Sequence, residues 1–273
     1  MGAADLARNG RPYLAAVRNV LGGANARSLG LLRSPRSFVD YATESLFLYK
    51  AFTSGRGLPE RNPFSVLPSP NQLDITLGNL NNPALRSTWF HQIGSRAVDI
   101  VNLTVICRLV QPKVVFEIGT LFGYTTQHLA LNAPGATIYT LDLPTEVAPA
   151  PALASTSMDR RFQGEHQQVQ RFCFDGTPEA ERIVCLHGDS ATFDFAPYRG
   201  TVDLFFIDGA HSYEYVRSDT ERALECCHPG SVIAWHDFGR SGVNGVTRWL
   251  REFNRRQPVY VVPAGSLAFS VVP

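Results

Sequence analysis

The chain has 273 residues, 44% of them hydrophobic, enough for one large domain, or one domain with an appendage, around a sizeable core. With 25 basic against 24 acidic side chains its formal charge is +1, so no global field draws it to nucleic acid or an anionic membrane. The odd cysteine set Cys107, Cys173, Cys185, Cys226 and Cys227 has no CxxC spacing, which argues against a disulfide framework or zinc knuckle and fits a reducing cytoplasm.

Residues 1–84 mix short helical patterns with proline and asparagine punctuation, as in "LPERNPFSVLPSPNQLD". They are expected to form a helical and loop extension that serves as a lid, a substrate contact or a dimer contact. Residues 1–62 carry nine basic and four acidic side chains, a bias that reads either as a basic arm or as a solvated helical face. The N-terminus lacks the apolar stretch of a secretory signal, and no apolar run approaches the roughly 18 residues needed to span a bilayer.

From Leu85 to Val110 the apolar positions Ile93, Ala97, Ile100, Val101, Val105 and Leu109 recur at helical spacing, and Pro112 closes the pattern. Strands are then expected at Val114–Ile118, Thr137–Leu141, Ile183–Leu186, Val202–Ile207 and Val232–Trp235, with helical segments between most of them. The tail "PVYVVPAGSLAFSVV" reads as an antiparallel hairpin around Ala264, Gly265 and Ser266. This alternation predicts an α/β, doubly wound, Rossmann-like sheet over residues 85–273, with ligands at the carboxyl ends of the strands. The roughly 38 residues from Pro144 to Glu181 exceed a usual loop plus helix, and read either as a flap beside the site or as a helix with a disordered approach.

The turn "EIGTLFGYT", Glu117 to Thr125, has neither a third glycine nor a following lysine, so a dinucleotide fingerprint and a phosphate loop are both absent. Glu117 at the strand tip suits an ammonium-bearing ligand, whose zwitterionic end would meet the free N–H groups of the next helix. Asp142 ends the second strand about 20 residues on, where a carboxylate accepts ribose hydroxyls. Asp189 follows Gly188, whose bare backbone admits a flat ring, and is a reasonable acceptor for an adenine amino group. A nucleoside joined to an amino acid with a positive centre between them describes S-adenosylmethionine.

The residues Glu117, Gly119, Gly123, Tyr124 and Thr125 resemble the cofactor turn of catechol O-methyltransferase-type enzymes. The stretch "FIDGAHSYEYVRSDTERALECCHPGSVIAWHDFG" is similar to the small-molecule group labelled methyltransferase family 24. Both are class I S-adenosylmethionine-dependent methyltransferases, and the resemblance runs from about Leu85 to the C-terminus. It implies a seven-stranded sheet with one antiparallel strand inserted by the tail. The expected cofactor set is Glu117, Gly119, Thr120, Gly123, Tyr124, Thr125, Asp142, Leu143, Gly188, Asp189, Ser190 and Asp208.

The fourth strand delivers Asp208 and His211, and the fifth delivers His236 and Asp237. Neighbouring strand ends lie about 4.8 Å apart, so these groups can converge. Asp208, His236 and Asp237 are a candidate site for Mg²⁺, or Mn²⁺ given the imidazole. Metal-dependent relatives carry an acidic and amide pair, or two acids, at the end of the fifth strand, and His236-Asp237 departs from that. His211 stands where catechol-type enzymes carry a basic lysine, and an imidazole with an ordinary pKa of about 6.5 suits proton removal at neutral pH; the alternative is a cap on the helix beginning near Ser212. The catalytic set is therefore His211, Asp208 and His236, with His236 read equally well as a group that orients Asp237. His128, His166, His187 and His228 read as surface or satisfied core groups. The expected function is O-methylation of a small hydroxylated molecule by a cytoplasmic homo-oligomer, a dimer, with no nucleic-acid or membrane partner. N-methylation and cofactor binding without turnover stand as alternatives.

Overall fold

The computed structural model describes residues 57–68, 73–78, 93–144, 150–167, 169–240, 243–263 and 265–273. The basic arm and most of the N-terminal extension lie outside the described residues. Five compact apolar runs form parallel strands because each is followed by a crossover that returns the chain to the same edge of the sheet. They are β1 (Val114–Ile118), β2 (Thr137–Asp142), β3 (Ile183–His187), β4 (Val202–Ile207) and β5 (Cys227–Trp235). The tail supplies β6 (Tyr260–Val261) and β7 (Ala268–Val271), and the seven strands lie in the order β3-β2-β1-β4-β5-β7-β6. Strand β7 runs antiparallel to both β5 and β6, as the sequence predicts.

Strand β5 begins five residues before the expected Val232. Pro229-Gly230 reads as a turn from sequence, but the sheet absorbs it through a register shift between the Val202–Cys227 and Leu204–Val232 pairs, with Gly230 at φ +89°. A bulge of this kind admits one strained glycine without ending the strand.

Alternation along the strands divides the core into two layers. Phe116, Phe205, Ile207 and Trp235 face one side, where they meet Val216 and Ala223 of α4 (Tyr213–Cys226) and Trp249, Leu250 and Phe253 of α5 (Asn244–Phe253). Val115, Leu204, Phe206 and Ala234 face the other, against α1 (Ile93–Val110) and α2 (Tyr124–Asn132). The long segment after β2 contains α3 (Ser157–His166). No helix among the described residues is long and apolar enough to cross a membrane.

Two described pieces of the extension are tied to this domain. Residues 59–61 continue the sheet edge, with Arg61 N–H donating to Val261 O and Val261 N–H to Pro59 O, both at 3.0 Å. Residues 76–78 lie along α2, where Asn132 exchanges two bonds of 2.8 Å with the Thr76 backbone and His128 accepts from Gly78 N–H at 3.1 Å. His128 is thus a satisfied core group, as its sequence context suggests.

The α4–α5 layer is held by one hydroxyl. Thr220 Oγ1 accepts from the indole N–H groups of Trp235 at 3.0 Å and Trp249 at 2.9 Å, and donates to Val216 O. Thr220→Val preserves the volume but leaves two buried donors unpaired, each costing about 1–3 kcal/mol. Urea unfolding of this variant should show a loss of at least about 2 kcal/mol with an unchanged m value.

Candidate active site

The backbone ladder runs one residue past each strand. Gly119 N–H donates to Leu141 O at 2.8 Å, Gly188 to Asp142 O at 2.9 Å, Asp208 to Ile118 O at 2.9 Å and His236 to Ile207 O at 3.1 Å. These bonds fix four functional positions along one edge. Strand order reverses between β1 and β4, the place where doubly wound sheets open a crevice. A cavity of about 140 Å³ lies there. Gly119 has φ +100°, and a Cβ on it would come within 2.2 Å of Asp208 O, so only glycine lets the turn cross the end of β4.

Of the expected cofactor residues, Gly119, Thr120, Tyr124, Thr125, Asp142, Leu143, Gly188, Asp189, Ser190 and Asp208 line this cavity, while Glu117 and Gly123 do not. Glu117 departs from its expected place because side chains alternate along β1: it shares a face with Val115 and points into the layer beneath α2. There it is fully buried and accepts from Thr126 Oγ1 and, at 2.6 Å, from Thr140 Oγ1. Burial raises its pKa to about 8, against the pull of the two threonine hydroxyls. Gly123 has a structural part instead, capping α2 at φ +73°.

Asp142 accepts the N–H groups of Thr120 and Leu121 on one oxygen, both at 2.9 Å, and that of Leu143 on the other at 2.7 Å. Asp189 accepts from Ala191 N–H, from Ala152 N–H and from the Tyr215 hydroxyl, the last at 2.7 Å. Burial and this bond raise the tyrosine pKa. The opposite wall comes from the long insertion through Pro151, Ser155, Asp159, Phe162, Gln163 and His166. His166, read from sequence as a surface or satisfied core group, sits between the Leu121 and Leu143 carbonyls, 3.0 Å from each. It therefore joins α3 to both margins of the crevice.

Carboxylates and imidazoles alternate across the catalytic end. His236 Nε2 lies 3.1 Å from Asp99 Oδ2, and its Nδ1 lies 3.1 Å from Asp208 Oδ1 and 3.2 Å from Asp237 Oδ1. His211 Nε2 lies 3.1 Å from Asp237 Oδ2, and its Nδ1 2.8 Å from Asp159 Oδ1. Ser266 donates through its N–H and hydroxyl to Asp99, at 2.7 and 2.8 Å, and Arg240 Nε lies 3.1 Å from Asp237. Burial alone would lower both histidine pKa values, but the surrounding carboxylates reverse this. His236 rises to about 10, and His211 moves well above its ordinary value. The same charges hold Asp99, Asp159 and Asp237 low despite their burial.

His211 is not the helix cap. Ser212 caps α4, its hydroxyl accepting from Tyr215 N–H. His236 is drawn away from the main cavity and lines a smaller one with Asp99 and Asp208. Asp99, Asp159 and Arg240 are not singled out by the sequence, and Ser266 stands there only as a residue of the tail turn. Two signals were present: Asp99 is a lone carboxylate in the apolar run that becomes α1, and Thr156-Ser157-Met158-Asp159 has capping-box spacing.

Donor chemistry tests the metal reading. Both ring nitrogens of His236 already face carboxylate oxygens, as those of His211 do, so either ring would give up one of these contacts to serve as a ligand. Donor atoms of Asp208, His211 and Asp237 do lie within 4.8 Å of one another. An ion there would take His211 Nε2 from Asp237, so His211 serves either as a ligand or as a proton carrier.

Comparison with known proteins adds to this geometry. The family described as "Methyltransferase domain" matches residues 116–238, a segment that runs from β1 past Asp237. This segment is similar to that family. The chain is also similar to "Probable O-methyltransferase Rv1703c" of Mycobacterium tuberculosis, 25% identical over 171 residues, or 59% of this chain. The match spans 64% of that relative's length. Similar solved structures include cofactor-bound Rv0187 from MTB, at 21% identity over 64% of this chain and 80% of that one, with a TM-score of 0.47. The O-methyltransferase TomG from Streptomyces achromogenes, in complex with SAM, has 21% identity over 65% and 81%, with a TM-score of 0.45. The calicheamicin methyltransferase CalS11 has 16% identity over 75% and 98%, with a TM-score of 0.48.

Within the matched segment, Glu117 carries a testable linkage. Its folded pKa lies above the ordinary 4.5, at about 8. The stability contributed by the neutral carboxyl is complete below pH 4.5 and is lost as pH rises through about 8. Urea unfolding from about pH 5 to about pH 9 should show the wild type losing stability relative to Glu117→Gln, whereas parallel curves would mean that Glu117 ionises normally.

Proposed function

We propose that the chain is an S-adenosylmethionine-dependent methyltransferase acting on a hydroxyl of a small molecule such as a natural product, sugar or phenol, with His211 as general base. The observation that carries this reading is the methyltransferase domain match across the strand ends that line the cavity, together with an imidazole at its catalytic end. The name of the curated relative supports oxygen over nitrogen as the acceptor atom. In this reading Asp142 takes the ribose hydroxyls and Asp189 the adenine end.

The chemistry is an in-line displacement. The acceptor O–H gives its proton to His211 Nε2, the O–CH3 bond forms as the S–CH3 bond breaks, and the electron pair returns to sulfur. S-adenosylhomocysteine leaves as a neutral thioether. Alignment supplies most of the acceleration, and proton removal the rest. Without an acceptor, the His211 ring lies between Asp159 and Asp237 and holds protons on both nitrogens. Only the form with Nε2 released accepts a proton, and that form grows as pH rises. Turnover should therefore climb from neutral into the alkaline range instead of levelling off near pH 6.5.

Calorimetry should give binding of S-adenosylhomocysteine and none of NAD; the reverse would reject the reading. His211→Ala should lower turnover about 10²-fold or more, the usual scale for a general base, while keeping its affinity for S-adenosylhomocysteine. Turnover is followed as S-adenosylhomocysteine release across a panel of phenolic and sugar acceptors.

Chelation separates the two uses of His211. Dialysis against EDTA should leave turnover unchanged. Loss of activity that Mg²⁺ or Mn²⁺ restores would instead assign His211, Asp208 and Asp237 to an ion.

A further inference from the structure

We propose that Asp159, carried by the helix inserted between β2 and β3, is the positioning residue of His211; this rests on the reading of His211 as the base. One oxygen of Asp159 accepts twice from His211, from the backbone N–H at 2.9 Å and from ring Nδ1 at 2.8 Å. The carboxylate therefore fixes both the main chain and the ring plane. An imidazole that donates through Nδ1 has Nε2 as its exchangeable nitrogen, and second groups of this kind set both tautomer and orientation. The side chain of Asp159 is only 8% exposed, so solvent competes little for these bonds.

Asp159 is itself held. Its second oxygen accepts from Thr156 N–H at 2.7 Å, and the Thr156 hydroxyl accepts from Asp159 N–H at 3.1 Å, a reciprocal capping box at the start of α3. The far end of α3 is fixed by His166 on the Leu121 and Leu143 carbonyls. On the other side of His211, α5 begins so close that a Cβ on Gly245 would lie 2.2 Å from His211 O. His211 is thus confined at its backbone by the start of α5 and at ring Nδ1 by a carboxylate from the insertion.

Asp159 has a structural part in the capping box as well as contact with His211, and two variants separate them. Asp159→Ala removes both, whereas Thr156→Val damages the box without touching the ring. The full-length protein is labelled with ¹⁵N-histidine, and the His211 signals are assigned by their loss in His211→Asn. Long-range ¹H–¹⁵N spectra should show a protected, downfield Nδ1–H for His211 in the wild type and in Thr156→Val, and its loss in Asp159→Ala. Turnover in Asp159→Ala should fall at least about tenfold, as expected when an imidazole loses its orienting carboxylate, with S-adenosylhomocysteine affinity within about threefold. Retention of the Nδ1–H signal in Asp159→Ala, or equal loss in Thr156→Val, would overturn the proposal. If the signals behave as expected but His211→Ala turns over normally, the assignment of the base fails and the orientation of the ring by Asp159 stands.

Discussion

The His211 end of the cavity depends on charge pairing between buried acids and imidazoles. Asp99, His236, Asp208, Asp237, His211 and Asp159 form an alternating array, each histidine lying between carboxylates at 2.8–3.2 Å. Isolated carboxylates at this depth would be driven to take up protons, and isolated imidazoles to lose them. The histidines hold Asp99, Asp159 and Asp237 low, and the carboxylates around them raise both histidines. Removing either histidine leaves its carboxylate neighbours facing one another at this depth, a costly change. The array therefore behaves as a unit whose members come from five places: α1, the end of β4, the end of β5, the turn before α4, and α3.

Such an array needs a frame more exact than side-chain packing, and the sheet provides it. Backbone bonds that continue past β1, β3, β4 and β5 set Gly119, Gly188, Asp208 and His236 along one edge before any side chain is considered. Alternation then decides which neighbours face the ligand. Glu117, one residue short of the edge, turns beneath α2 and becomes a largely neutral core group bonded to Thr126 and Thr140. Asp142, at the last position of β2, meets the turn backbone instead. One step along a strand separates a cavity wall from a buried polar contact.

This is also where the sequence was legible and where it was not. Strand positions, their parallel order and the tail hairpin follow from short apolar runs and turn residues, and much of the cavity wall follows from asking what stands at each strand end. The first residues of β5 are not legible because Pro229-Gly230 interrupts the apolar pattern, and only the register shift against β4 carries the strand through it. The direction of His236 could not be read, since Asp99, its partner through Nε2, lies 137 positions away in the chain. Asp159 was hidden for another reason. Its capping-box spacing is visible in the sequence, but the pairing with His211 exists only once the insertion folds back across the edge.

The insertion changes how the site is assembled. In a doubly wound sheet the strand ends alone make an open shelf, wetted from above, on which charged groups would be screened. Helix α3 covers that shelf, anchored by Asp159 over the catalytic end and by His166 over the cofactor turn. Phe162, between these anchors, brings its ring to 5.8 Å from that of His211 and limits water at the imidazole. The two anchors differ in kind, one a carboxylate on an imidazole and the other an imidazole on carbonyls. The insertion that walls the cavity is therefore also the one that holds the His211 ring, and Asp159 is the residue through which the two are joined.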